Sequence, residues 1–394
     1  MPEAIRTEAP EGDVGGARSA LDARGQTGSR DLIPTPALVC DLVLLRENVT
    51  VMARSVAADG LRLRPHTKSH KSAFIAVLQL EHGAAGIACA KVAEAEVLVD
   101  RLSGSARGEP VDVLITSPLG GSRPADRVAD LANRCALAVV VDRTDGVVEL
   151  ADAADRTGTS LTVFCDVDVG LGRTGVAGPE DALEIARTVD RHPHLRFGGL
   201  QGYAGHVQHT PSRPVRHSGA RLAGERLARV ADALAAEGHA VPIRTGGGTG
   251  TAGMEAELGA LDEIQAGSYV FMDREYRDAL GADPEGRFAQ SLTIAATVIS
   301  ANQPGFVTVD AGLKAMATDA GVPTVVGRDS EYAFFGDEHG MVTDGSGGRL
   351  HPGDRVDLVP PHCDPTVDRY DRIWLVEGDV LLGWTPVDAR GCSQ

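Results

Sequence analysis

A chain of 394 residues with 43% hydrophobic content can bury one large α/β core with a smaller second unit, or a single barrel with an appendage. Its formal charge of -17 and pI near 5.1 argue against a nucleic-acid surface and an anionic membrane face, which both need clustered Lys and Arg; a small-molecule partner is expected. No stretch reaches the roughly 18 apolar residues of a membrane span, and Cys40, Cys89, Cys135, Cys165, Cys363 and Cys392 lack CxxC spacing, as reduced thiols of a cytoplasmic protein would.

Met1 to Arg30, rich in Gly, Ala, Arg and acidic residues and without an apolar signal core, is expected to be a disordered extension. Ala37 to Cys40 then reads as a strand, and Leu45, Val49, Met52 and Val56 recur at helical spacing after it. Apolar runs follow at Leu61 to Leu63, Gly86 to Ala90, Val111 to Thr116, Leu137 to Val141, Leu161 to Cys165, Leu195 to Leu200, Pro242 to Arg244 and Glu263 to Tyr269. Helical patterns separate them, among them Lys91 to Leu98 and the stretch carrying Leu227, Val230 and Leu234. Eight strand and helix units of this size predict a (β/α)₈ TIM-type barrel over residues 31–280, with a doubly wound open sheet as the competing fold. The polar clusters favour the barrel, because they fall just after strands, where barrel loops carry function. They are the Lys68 run, Asp166-Val167-Asp168, Tyr203 to His209, and Gly246 to Thr251. Beyond residue 280 the texture changes to short β-rich runs with turns at Pro352-Gly353-Asp354 and Glu377-Gly378-Asp379, so 281–394 is expected to be a C-terminal β-domain.

Three of these segments carry recognisable chemistry. The Gly246-Gly247-Gly248-Thr249-Gly250-Thr251 run can bring successive backbone N–H groups to a phosphate, whereas as bland structure it is a flexible turn. Lys68 lies among His66, His70 and Lys71; neighbouring cations are expected to lower its pKa and suit it to Schiff-base chemistry, the alternative being a solvated surface lysine. His362 and Asp364 flank Cys363 and can offer one nitrogen and one oxygen to a divalent ion, although Asp364-Pro365 is also a turn signal. His206 and His209 are both candidate proton carriers.

Taken in order, RPHxKxHK at 64–71, CAKVxEAEVL at 89–98, DVGLGRTGV at 168–176, GYAGHVQH at 202–209, GGGTGT at 246–251, GSYVFMD at 267–273, DAGLKAM at 310–316, GDEHG at 336–340 and PHCDPTV at 361–367 resemble the D-threonine aldolase group. That group lies within the alanine racemase-like, fold type III pyridoxal phosphate enzymes and includes D-serine dehydratases and 3-hydroxy-D-aspartate aldolases. The resemblance implies that Lys68 carries pyridoxal 5'-phosphate, that Gly247, Gly248 and Thr249 hold its phosphate, and that Arg173 and Tyr203 lie around its ring. It further implies that Gln265, Ser268 and Tyr269 line the pocket, that His362 and Asp364 bind a divalent metal, and that His209 moves the substrate hydroxyl proton. Similar D-serine dehydratases offer a cysteine as second metal ligand; Asp364 here makes a hard N/O pair that suits Mn, with Mg, Co or Zn as alternatives.

The activity so implied is cleavage of a D-β-hydroxy-α-amino acid of D-threonine type into glycine, or the corresponding amino acid, and an aldehyde, by a homodimer. A D-serine or 3-hydroxy-D-aspartate dehydratase on the same fold is the alternative, followed by a D-amino-acid racemase or a pyridoxal phosphate carrier. The β-rich C-terminal third counts against the carrier.

Overall fold

The computed structural model describes residues 5–10, 16–103, 110–281, 288–345 and 348–394. Among the described residues, seventeen strands follow one another along the chain. After β1 (Ala37–Asp41) come β2 (Arg62–Leu63), β3 (Ile87–Cys89), β4 (Asp112–Ile115), β5 (Ala136–Val141), β6 (Leu161–Asp166), β7 (Leu195–Gly202), β8 (Ile243–Gly246) and β9 (Glu263–Ile264). The last eight form a parallel sheet in the order β2-β9-β8-β7-β6-β5-β4-β3. A parallel bridge between His66 and Ala88, with Ala88 N donating to Pro65 O at 2.8 Å, joins β2 to β3 and closes the barrel. The strands match the eight apolar runs of the sequence. Continuous runs such as Ala136 to Val141 suit strands covered on both faces, and all of that strand except Ala136 is buried.

The remaining strands are β10 (Leu292–Ser300), β11 (Phe306–Val309), β12 (Thr324–Val325), β13 (Tyr332–Phe334), β14 (Gly340–Thr343), β15 (Arg355–Val359), β16 (Arg372–Glu377) and β17 (Val380–Pro386). They build a second sheet in the order β13-β14-β11-β10-β1-β16-β17, with β15 pairing β10 and β12. All its pairings are antiparallel except β1 with β16.

Two expectations need correction. The strand at 37–41, placed by sequence in the barrel unit, is a central strand of the second sheet, because its two faces, Leu38 with Cys40 and Ala37 with Val39, are both covered there. It then feeds the barrel through the helix Leu42–Ala58. Asp41 caps that helix, its Oδ1 accepting from Val43 N at 2.9 Å and Leu44 N at 3.2 Å, a cap worth about 1 kcal/mol, while Leu45, Val49, Met52 and Val56 turn inward. The disordered extension is the second correction. Residues 16–32 hold a helix, Gly16–Asp22, and a 3₁₀ turn, Ser29–Leu32, whose Ala17, Ala20 and Leu21 pack on Trp374, Leu381 and Trp384. Arg6 exchanges backbone hydrogen bonds with Trp384, and residues 1–4 and 11–15 lie outside the described residues. Among the described residues all six cysteines are free, and no helix is long and apolar enough to cross a membrane.

Candidate functional site

At the C-terminal end of the barrel strands lies a cavity of about 430 Å³, walled by His66, Lys68, Arg173, Tyr203, Gln201, Thr249, Gln265 and Ser268 among others. Lys68 comes from the 3₁₀ turn Thr67–Ser69 that follows β2. Its own backbone N donates to His66 Nδ1 at 3.4 Å, so the proton of that imidazole sits on Nε2, which donates to Thr116 Oγ1 at 3.0 Å. Burial pushes His66 down to about 3, with Lys68 adding to the effect, and the ring stays neutral. Thr67 anchors the turn from behind, donating to Glu94 Oε1 at 2.6 Å. Lys71 holds a left-handed φ of 48°, strain kept in place by its Nζ on Asp368 at 2.7 Å and its carbonyl accepting from Ala389 N at 3.0 Å.

The Lys68 Nζ pairs with Asp364 Oδ2. The lysine side chain is 42% exposed, but the surface it exposes is that of the cavity it lines. Its pKa is raised, against the sequence expectation: burial depresses it, but Asp364, with Tyr203 and Cys363 adding, more than restores the ammonium. The neighbouring histidines, expected to act as cations, are neutral. Asp364 is correspondingly held low despite burial, by Lys68 and then His362, and accepts from Ser268 Oγ at 3.2 Å and from the Cys363 thiol at 3.3 Å.

Asp364 and His362 arrive on the segment between β15 and β16, which folds over the barrel mouth. Arg274 N donates to Pro360 O at 3.0 Å and Cys363 N to Asp273 Oδ2 at 2.8 Å, so the residues after β9 hold this segment down. His362 Nδ1 lies 2.6 Å from Asp319 Oδ2, an arrangement that fixes the ring and leaves Nε2 free. The His209 ring stands 6.5 Å from the His362 ring and 4.3 Å from the Tyr276 ring; its Nε2, 3.8 Å from Glu275, is a buried nitrogen without a hydrogen-bond partner. His206 is exposed and near Gly170, so the structure brings His209 rather than His206 to this place. Burial lowers the His209 pKa, with Glu275 and Asp273 opposing.

The glycine run after β8 forms a cradle in which bare backbone is required. A Cβ on Gly248 would stand 2.6 Å from Gln208 Oε1, and one on Gly250 only 2.0 Å from Gln208 O. Gly247 adopts a φ of +65°, accessible to glycine without strain. Gln208, fully buried, stitches this loop to the Tyr203 to His209 segment, accepting from Gly250 N at 3.0 Å and donating to Ala204 O at 3.2 Å. Thr249 Oγ1 accepts from Tyr269 N at 3.1 Å. Arg173 stacks 5.8 Å from the Tyr203 ring centroid. Two expected pocket residues stand behind the wall: Tyr269 is fully buried with its OH accepting from Gln79 Nε2 at 3.0 Å, and Gly247 turns toward Glu255 and Leu261. Sequence reasoning missed His66, Gln201, Gln208 and Asp319; His66 and Gln208 lay inside quoted motifs, while Asp319 has no local signal.

The residues fit a phosphorylated aldehyde cofactor, since an accessible lysine faces the cavity and a glycine cradle that a Cβ would fill lies on its wall. His362 and Asp364 offer one nitrogen and one carboxylate, the donor types that a hard divalent ion takes. Among the described residues no cluster of three or more His, Cys, Asp or Glu side chains is arranged to hold a metal, so water and substrate would complete the coordination of such an ion.

The family described as alanine racemase, N-terminal domain, matches residues 40–275, and that described as putative serine dehydratase domain matches 291–376. The chain is 40% identical over 369 residues to a 3-hydroxy-D-aspartate aldolase of Paracoccus denitrificans (strain Pd 1222), covering 91% of this chain and 92% of the relative. It is 29% identical over 317 residues to a D-threo-3-hydroxyaspartate dehydratase of Delftia sp. (strain HT23), covering 79% of this chain and 80% of the relative. The solved D-threonine aldolase of Filomicrobium marinum superposes with a TM-score of 0.87 at 33% identity, over 92% of this chain and 98% of that one. The chain therefore belongs to the alanine racemase-like, fold type III enzymes, in the group of D-threonine aldolases, 3-hydroxy-D-aspartate aldolases and D-serine dehydratases; it is a lyase, in a family that implies pyridoxal phosphate.

Proposed function

We propose that this enzyme is a pyridoxal phosphate- and divalent-metal-dependent aldolase that cleaves D-β-hydroxy-α-amino acids into glycine, or the corresponding amino acid, and an aldehyde. The observation that carries the reading is the meeting of Lys68, of His209, and of His362 with Asp364, from three separate segments of the chain, at one barrel mouth. Lys68 carries the cofactor; Gly248, Thr249 and Ser268 hold its phosphate arm, with Gly247 shaping the turn and Tyr269 N fixing Thr249 from behind. Arg173, Tyr203 and Gln265 surround the ring.

When bound, the cofactor supplies an electron sink for the pair left at Cα, and the ion on His362 and Asp364, most suitably Mn, polarises the substrate hydroxyl. The protein's own part is acid–base work and orientation. With Lys68 joined to the cofactor, the Asp364 carboxylate would be available to hold the ion, and Asp319 keeps the His362 ring aimed. His209, neutral at pH 7 because burial lowers its pKa, presents its unpartnered Nε2 to take the hydroxyl proton as the Cα–Cβ bond opens. Active as a homodimer in the cytoplasm is the setting we infer from the group.

The test is a product assay on cofactor-loaded protein given D-threonine, 3-hydroxy-D-aspartate and D-serine, with and without chelator. Glycine plus aldehyde, lost with chelator and restored by Mn, is the expected result. A 2-oxo acid with ammonia as the main product would make the enzyme a dehydratase and overturn the assignment.

A further inference from the structure

The interior of this barrel is polar where most are filled by branched apolar layers. Arg64 and Glu263 pair there, Nε to Oε1 at 2.7 Å, and Arg64 continues to Asp112 at 2.8 Å. From this pair a line of hydrogen bonds climbs to the cavity floor. Thr245 Oγ1 donates to Glu263 Oε1 at 3.0 Å. Gln265 Nε2 donates to Thr245 Oγ1 at 3.0 Å and to Gln201 Oε1 at 3.2 Å. Gln201 Nε2 donates to Thr116 O at 3.1 Å and to Asp166 Oδ1 at 2.9 Å, and Asp166 Oδ2 in turn accepts from Thr174 Oγ1 at 2.7 Å.

The direction of this line is set at both ends by groups that have no choice. Glu263, shared with Arg64, can only accept, so the Thr245 hydroxyl points its hydrogen at the carboxylate and must accept from above. Thr116 O is a backbone carbonyl, so Gln201 must aim its NH₂ at it and offer Oε1 to Gln265. Both neighbours of Gln265 therefore demand a donor, and both hydrogens of its NH₂ are consumed. What Gln265 has left for the cavity it lines is a carbonyl oxygen. Turning the amide over would set oxygen against oxygen at Gln201 in a buried place and leave both groups without their hydrogen bond.

We propose that Thr245, polarised by Glu263, and Gln201 are positioning residues that lock Gln265 with its Oε1 toward the cavity, so that the ring nitrogen of the bound cofactor is held protonated. The inference rests on the cofactor reading above. A ring joined to Lys68 through the carbon para to its nitrogen, with its phosphate arm at Gly248 and Thr249, would have Gln201 and Gln265 of the same cavity as the side chains able to meet that nitrogen. An acceptor oxygen there pairs with N–H⁺ and repels a bare lone pair. A protonated ring withdraws electrons more strongly, which suits an enzyme that must hold the pair left by carbon–carbon cleavage.

The experiment is ¹⁵N NMR of the holoenzyme loaded with ring-¹⁵N pyridoxal phosphate, beside Gln265→Met, Gln265→Glu and the Thr245→Val/Gln201→Met double variant. The wild type and Gln265→Glu are expected to show the protonated-ring resonance across pH 6 to 9. Gln265→Met should show the neutral ring, and the double variant a shift moved toward neutral that varies with pH. A neutral ring in the wild type with cofactor bound overturns the proposal, and a wild-type shift in the double variant overturns the positioning role. Failure of the wild type to take up the cofactor would instead sink the reading on which it rests.

Discussion

Lys68 Nζ and Asp364 Oδ2 form an ion pair inside the cavity although 296 positions separate them in the chain. One partner rides on the turn after the first barrel strand and the other on a β-domain segment clamped over the mouth. The pair gives each residue a charged state that burial alone would oppose, and it ties the two layers together at the site.

Replacing Asp364 by Ala removes the main influence that raises the Lys68 pKa and leaves burial to depress it. The lysine-linked cofactor band should then form at lower pH than in the wild type, while aldolase activity falls more than the 10–100-fold typical of outer-shell losses. Absorbance titration and a glycine assay read both effects, and an unchanged pH of cofactor linkage would refute the electrostatic account.

Asp319→Ala leaves the two proposed ligands in place but frees the His362 ring. Metal affinity should drop by about 10–100-fold, measured by activity or fluorescence against buffered free Mn, with the cofactor spectrum unaltered.

His209→Gln should lower kcat by about 10²–10⁴-fold, whereas His206→Gln, on an exposed ring, should stay near wild type. Because burial lowers the His209 pKa, its base form persists below the ordinary value, and the acid limb of the kcat profile should lie under about pH 6.5 and vanish in the variant.

Glu263→Ala leaves the buried Arg64 without its partner inside the barrel. The expected cost is roughly 3–5 kcal/mol of unfolding free energy, read from denaturant midpoints, and a change below 1 kcal/mol would mean that Asp112 alone satisfies the guanidinium.

Burial pushes His66 down to about 3 and His70 down to about 4, so the fold keeps both neutral where unfolded imidazoles, near 6.5, take a proton. The unfolded state then binds the extra protons, and stability, complete above about pH 6.5, drops as pH falls toward 4 by roughly 1.4 kcal/mol per unit for each histidine. His70→Asn, which retains an acceptor for Ser72 N, should halve this slope in urea titrations between pH 6.5 and 4.5.

The barrel strands were legible because each is a short apolar run bounded by turn signals, and period and length suffice to identify them. The strand at Ala37 to Asp41 reads the same way, yet it belongs to the other sheet, since strand pairing depends on partners more than 250 residues away. The packing of residues 16–32 was hidden for a related reason: their small helix gains its stability from Trp374 and Trp384, not from its own composition.

By itself the sequence determined which side chains could do chemistry, because lysine, histidine, carboxylate and glycine runs announce their capacities by type and by order along the chain. Tertiary structure decided their states. Lys68 is charged rather than depressed, His66 is neutral, His209 rather than His206 reaches the mouth, and Gln265 offers an oxygen, because each outcome depends on burial and on partners brought from distant strands. Charge and hydrogen-bond direction are properties of an environment, and only the closed barrel with its β-domain segment creates that environment.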